Sequence, residues 1–341
     1  MSDPVAITGS GAVTPAGADP VRWRRGPAVD ASGDVPLASL PEAARTRAAR
    51  AERVTQLVLA AGGAALASAG LDAIDGPPRP RYGTVLGTAF GCFLTNAMYQ
   101  RRLASGGPPA ASPRLFAATV SNAAAGELSI AYRLGGPAVT LTAGAASGLT
   151  ALAHAVDLLR ASGADALVAG GMDAVGAPLE RWLGDGGLAI GRPAAEAAGV
   201  LVIEPLAVAR ARGVRVLGTV DGCGLGFEPD PIASDAGQGL AQAIADALAE
   251  AGASGETIGL VVSAAPPSLA SVEARALERT LGTRRPPVTQ PKDVLGETFG
   301  AAGPLGLLAA LAEAPPGAAA LVLDVCASGH VAAAVVRGAG A

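Results

Sequence analysis

A chain of 341 residues exceeds what one hydrophobic core usually organises, so two lobes or a duplicated unit are expected. Half of its residues are hydrophobic, only 3% are aromatic and 47 are glycine; packing must therefore rely on Ala, Val and Leu in closely approaching layers, which suits α/β structure. The formal net charge of −4 gives no electrostatic footprint for nucleic acid, whose binding needs a concentrated basic face, and three cysteines are too few and too scattered for a disulfide framework or a metal site and fit a reducing cytoplasm.

The N-terminal run "MSDPVAITGSG" carries an acid at once and enters a strand, which is the pattern of neither a signal peptide nor a transit sequence. Short β-branched runs then alternate with Ala/Leu-rich segments of helical length. In order they are the strand "VAITGSGAV", a helix over 50–69, "RYGTVLGTA", a helix near 96–104, a strand at 138–142, a helix from Ser147 onward, "ADALVAGGMDAV" and "AAGVLVIEPL". A second set follows with "VRVLGTVDGCGL", a helix over 237–251, "TIGLVVSAA", a helix over 271–281, "PVTQ", a helix over 300–312, "AALVLDVCASG" and "VAAAVVRG". Strands alternating with helices mean parallel β-α units, and the rhythm running twice predicts two similar halves, 1–212 and 213–341. No linker marks the division, so the halves should share a large interface. The Pro/Gly-rich stretches "GPAVDASGDVP", "DGPPRPR" and "ASGGPPAASP" read as surface connections.

Residues 134–156, "LGGPAVTLTAGAASGLTALAHAV", carry no formal charge, and a run of this length raises the question of a membrane span. Three threonines, Ser147, His154, Pro137 and four glycines favour instead a strand, a tight turn of small residues and a helix inside a soluble protein. "GSGAVT" at 9–14 has Thr14 where a dinucleotide fingerprint needs its third glycine, and Pro15 where the phosphate-facing helix would begin. "GAAS" is not the GxSxG elbow, so Ser147 lacks the context of a hydrolase nucleophile. No P-loop, HExxH or CxxC is present, and neither a metal nor a cofactor is implied. The basic clusters "RWRR", "RTRAAR" and "QRR" read as solvated helix faces, and Lys292 is the only lysine. His154 and His330 are the only histidines, one in an apolar helix and one in a Gly-containing turn. A mechanism that needs a cysteine with two histidines therefore lacks its parts unless both converge.

The ordered segments "GTAFGCF", "SNAAAGELSIAYRLGGPAVT", "GADALVAGGMDAV", "PKDVLGETFGAAGPLGLL" and "DVCASGHVAAAVV" resemble the β-ketoacyl synthases of the thiolase superfamily over nearly the whole chain. The resemblance implies a thiolase-like fold of two β-α-β-α-β-α-β-β halves stacked in five layers, α-β-α-β-α. It also implies a dimer that pairs the strand at 138–142 across its axis. An active member has a nucleophilic cysteine at the strand-to-helix turn, where a helix N-terminus and backbone amides support a thiolate and an oxyanion. That position here is Ala145. The first family histidine falls at Ser263, or at Val262 if the following loop lacks no residue. The second becomes Glu297, while the family lysine survives as Lys292.

The three changed positions together resemble the chain length factor, or ketosynthase β-subunit, of type II polyketide synthases. This branch pairs with a catalytic ketosynthase and meets an acyl carrier protein bearing the growing chain. It often has glutamine at the nucleophile position; Ala145 departs from it and leans toward subfamilies that make reduced or polyene chains. The segment after "GGMDAVGAPLERW" also lacks the family's long loop before "GVLVIEPL". By the same resemblance Phe93, Asn96 and Gln100, spaced three and four apart on one helix face, match positions lining the acyl tunnel. Two alternatives remain. One is an acyltransferase or decarboxylase with a displaced nucleophile, Cys92, Cys326 or Ser147; the other is a self-paired acyl-binding scaffold. Neither a nucleic acid nor a membrane partner is expected.

Overall fold

The β-branched and Ala/Leu-rich runs fold as alternating strands and helices in a computed structural model that describes residues 4–24, 37–186, 191–233 and 236–339. Arg25 of "RWRR" and the stretch "GPAVDASGDVP" lie outside the described residues. The first set comprises β1 (Val5–Val13), α1 (Glu42–Ala48), α2 (Arg53–Ser68), β2 (Tyr82–Gly87), α3 (Phe93–Gly106), α4 (Pro113–Ala117), α5 (Ala123–Ala131), β3 (Ala138–Leu141), α6 (Ser147–Arg160), β4 (Ala166–Asp173), α7 (Ala177–Asp185), β5 (Ala197–Pro205) and α8 (Leu206–Arg212). The second comprises β6 (Gly218–Phe227), α9 (Gln238–Glu250), β7 (Ile258–Ser263), α10 (Ala270–Leu281), β8 (Val288–Thr289), α11 (Lys292–Leu295), α12 (Ala302–Glu313), β9 (Ala319–Val325) and β10 (His330–Gly338).

The strands follow the order β3-β2-β4-β5-β1-β6-β10-β9-β7-β8. Read outward from the β1/β6 junction, the same plan appears twice. β5 is antiparallel to β1 and to β4, and β2 is parallel to both β4 and β3. In the second set β10 is antiparallel to β6 and to β9, and β7 is parallel to both β9 and β8.

Three apolar clusters separate the layers. α2 and α5 cover the outer face of the first set through Leu57 and Leu128, which pack with Leu86 and Val168. α9 and α10 cover the outer face of the second through Ile244 and Val272 against Leu321 and Val335. α6 and α12 lie between, where Leu149, Leu152, Val156 and Leu305 meet Leu167 and Leu201 on one side and Val322 and Val336 on the other. Helix α6 forms because its apolar residues recur three and four apart, and each of its fully buried leucines contributes roughly 2 kcal/mol. The result is an α-β-α-β-α stack.

β3 stands at the end of the strand order and pairs only with β2 among the described residues. Ala138 is exposed, while Val139, Thr140 and Leu141 are half-buried. α5 packs beside β3, and Ile130 on that helix is exposed, as are Phe116 on α4 and Val120 between the two helices. Among the described residues no helix is long and apolar enough to cross a membrane.

Candidate functional site

The uncharged run at 134–156 becomes β3, a turn of small residues and α6. Gly144 adopts φ +57°, and a Cβ there would lie 2.4 Å from Cys326 Sγ. Cβ atoms at Gly148 and Gly171 would lie 2.2 and 1.9 Å from the Gly300 carbonyl oxygen, so small residues let the segment after α11 seat directly on α6 and β4. Within the run, Gly144 leaves room for the Cys326 and Ser328 side chains and Gly148 for the Gly300 carbonyl and the Pro304 ring.

Ala145 sits half-buried in this turn, and its N–H donates to Cys326 Sγ at 3.2 Å. The same sulfur accepts from Ser328 Oγ at 3.1 Å, and that hydroxyl lies 3.1 Å from His330 Nδ1. The backbone donor at the candidate nucleophile position is therefore occupied by a side chain from the β9–β10 turn. Ser147 is fully buried; its hydroxyl accepts from Ala143 N–H at 2.7 Å and lies 3.0 and 2.6 Å from the Thr88 and Gly144 carbonyls. It is a structural tie. Cys92 Sγ donates to the Thr119 carbonyl at 2.8 Å, and burial pushes the Cys223 thiol up to about 12, with Glu250 adding to the rise.

Ser263, at the end of β7, donates to Glu273 Oε2 at 2.8 Å. Burial raises Glu273 to about 7, against the opposing pull of the Ser263 hydrogen bond and the Lys292 charge. Lys292 and Glu297 are each 3% exposed and form an ion pair at 2.7 Å, while Lys292 Nζ also donates to the Ala264 carbonyl. Glu297 Oε1 further accepts from Phe299 N–H at 3.0 Å, and the Glu297 backbone bridges to Pro193 and Ala195. Asp324, on β9, is fully buried with no hydrogen-bond partner of ordinary geometry for either carboxylate oxygen; burial holds its pKa well above the usual carboxylate range, with Lys292 opposing and Glu297 adding to the rise. The polar groups at the candidate chemical positions are thus bonded mainly to one another.

Phe93 and Asn96 are half-buried and Gln100 is exposed on α3. Asn96 Nδ2 donates to Cys92 Sγ at 3.1 Å. Phe93 meets Trp182 of α7 and Phe90, with ring centroids 6.1 and 6.5 Å apart; Phe90 in turn lies 6.0 Å from Trp182 and 4.9 Å from Phe299. Three of the five phenylalanines and one of the two tryptophans thus gather here. Asp173 ties this corner down. Its carboxylate accepts from Thr88 Oγ1 and from the N–H groups of Ala89, Phe90 and Gly300, all within 2.7–2.9 Å. Burial raises Asp173 to about 6 even so. Phe90, Trp182, Phe299, Glu273, Asp324 and Asp173 escaped the sequence reading; the scarcity of aromatics was a signal that could have singled out the first three.

This layered architecture, with a strand-turn-helix docked against the two returning segments, is the thiolase-like ketosynthase fold. Residues 32–185 match the β-ketoacyl synthase N-terminal domain and residues 217–316 the C-terminal domain, and the chain belongs to the β-ketoacyl synthase family. It is 33% identical over 67% of its length to the actinorhodin polyketide β-ketoacyl synthase 2 of Streptomyces coelicolor, and the alignment spans 61% of that relative. Among solved structures it resembles the ishigamide ketosynthase/chain length factor, with a TM-score of 0.86 at 22% identity over the whole of both chains. It also resembles a chain from a type II polyketide synthase acyl-carrier protein in complex with its ketosynthase, with a TM-score of 0.82 at 20% identity over 99% of this chain and 100% of the other.

Proposed function

We propose that this chain is the non-catalytic, chain-length-determining subunit of a type II polyketide synthase, pairing with a catalytic ketosynthase for polyketide elongation, with polyene chains among its products. The observation that carries the reading is the state of the chemical positions. Ala145 has no nucleophile and its amide is capped by Cys326, Ser263 is bonded to Glu273, and Lys292 is neutralised by Glu297. The relatives' names support the pairing: one is a second β-ketoacyl synthase of a polyketide system, and one solved structure is a ketosynthase/chain length factor.

The partner would add to the free edge of β3, where an unpaired strand beside exposed Phe116, Val120 and Ile130 favours association over solvation. The acyl carrier protein would deliver the growing chain to the partner's cysteine, and the face of α3 bearing Phe93, Asn96 and Gln100 would line the far end of the tunnel. No cofactor enters, and the complex works in the cytoplasm. The chain divides into halves at 1–212 and 213–341, a reading supported by the repeated strand plan.

Purification with and without a neighbouring ketosynthase, followed by a condensation assay with malonyl-loaded acyl carrier protein, tests the proposal. A stable heterodimer that condenses, beside an isolated chain that does not, is expected. Condensation by the isolated chain would overturn it.

A further inference from the structure

Of the three non-glycine residues with positive φ among the described residues, Arg133 and Ser162 are exposed and lie just beyond the C-termini of α5 and α6, where left-handed backbone is an ordinary helix ending. Phe299 is different. It has φ +48°, is buried, and opens a short turn before α12 rather than closing a helix. A bulky side chain held in this conformation requires surroundings that impose it, and such strain concentrates at functional sites.

Two buried carboxylates impose it. Glu297 Oε1 receives the Phe299 N–H while its charge is held by Lys292, itself anchored on the Ala264 carbonyl. One residue later, Gly300 N–H is held by Asp173, whose carboxylate also holds Phe90 N–H, so a single side chain sets the backbone positions beside two rings. Those rings meet edge to face at 4.9 Å, and Phe90 continues to Trp182. Trp182 is 46% exposed, so the ring cluster reaches the surface through one of the chain's two tryptophans.

We propose that Glu297 is a positioning residue that holds Phe299 in its left-handed conformation, so that Phe299, Phe90, Phe93 and Trp182 form an aromatic wall against which the apolar end of the acyl chain stops. The inference rests on the chain-length reading and extends it. The position that the family resemblance assigns to a histidine serves here to fix a ring, and the buried Lys292–Glu297 pair holds position rather than supplying chemistry.

The test is the product-length distribution, normalised to total yield, of the heterodimer co-expressed with a neighbouring ketosynthase and supplied with malonyl-loaded acyl carrier protein. Phe299→Gly removes the ring at a φ that suits glycine, so the backbone is relieved rather than broken. It should raise the ratio of products at least one two-carbon unit longer to the native product about tenfold, and Trp182→Ala should act in the same direction. Glu297→Ala should lengthen products as well, yet add nothing when combined with Phe299→Gly, which separates positioning through Phe299 from general destabilisation. If Asn96→Trp shifts product length while Phe93→Ala, Phe299→Gly and Trp182→Ala change only yield, the wall is refuted and the chain-length reading stands. If none of these variants shifts length, both are refuted.

Discussion

Glu273→Gln isolates the energetic consequence of burying carboxylates around one lysine. Glu273 rises from an ordinary 4.5 to about 7 in the fold, so between those values the folded chain binds more protons than the unfolded chain. Its contribution is fully present below pH 4.5 and is lost as pH rises through about 7. At 1.36 kcal/mol per unit the loss is about 3 kcal/mol in order of magnitude. Asp324 titrates in the same sense, and Asp173 does so between 3.8 and about 6. Glutamine cannot ionise but preserves the acceptor for Ser263, so the variant should lose part of the pH dependence and gain stability relative to wild type at pH 8. Urea unfolding at pH 5 and pH 8 can be followed by the fluorescence of Trp23, which is buried, and Trp182. Wild-type stability that climbs from pH 5 to pH 8, or a variant with an undiminished pH dependence, would refute the linkage.

Ala145→Cys should leave the isolated chain unable to condense malonyl-loaded carrier protein. Its thiol would lack a general base worth about 10²–10⁴ in rate, and one oxyanion donor, worth about 10²–10³, is engaged by Cys326; detectable condensation by the variant alone would contradict this. Gly171→Ala places a Cβ against the Gly300 carbonyl and should destabilise the fold by roughly 1–3 kcal/mol, measured as a lower urea midpoint at unchanged slope. Cys223 should escape alkylation in the native protein at pH 8 while reacting after unfolding, as peptide mass mapping would show.

The sequence patterns located β1 to the residue and placed α2, α3, α9, α10 and α12 within about three residues at each end, because their apolar periodicity and flanking Gly and Pro signals are local. They did not mark α5 and α7. The run "AAAGELSIA" of α5 is almost uniformly small and apolar and carries little period, yet it buries Leu128 and exposes Ile130. At the site, Ala145 could be named as the candidate nucleophile position by resemblance alone. The sulfur that caps its amide could not, since Cys326 lies 181 residues away and only the packing of the two halves brings it there. The left-handed Phe299 was equally hidden, because the phenylalanine in "GETFG" owes its conformation to Glu297, Lys292 and Asp173 acting through space.

Product length in the reconstituted heterodimer bears most directly on the role of this chain. With the ketosynthase sequence untouched, Phe93→Ala should enrich longer products and Asn96→Trp shorter ones. The shifts should be of order tenfold in the ratio of adjacent chain lengths, since about 1.4 kcal/mol separates each factor of ten. A distribution that stays fixed in both variants while total yield falls would mean that this face of α3 only holds the complex together, and would contradict a chain-length-determining subunit.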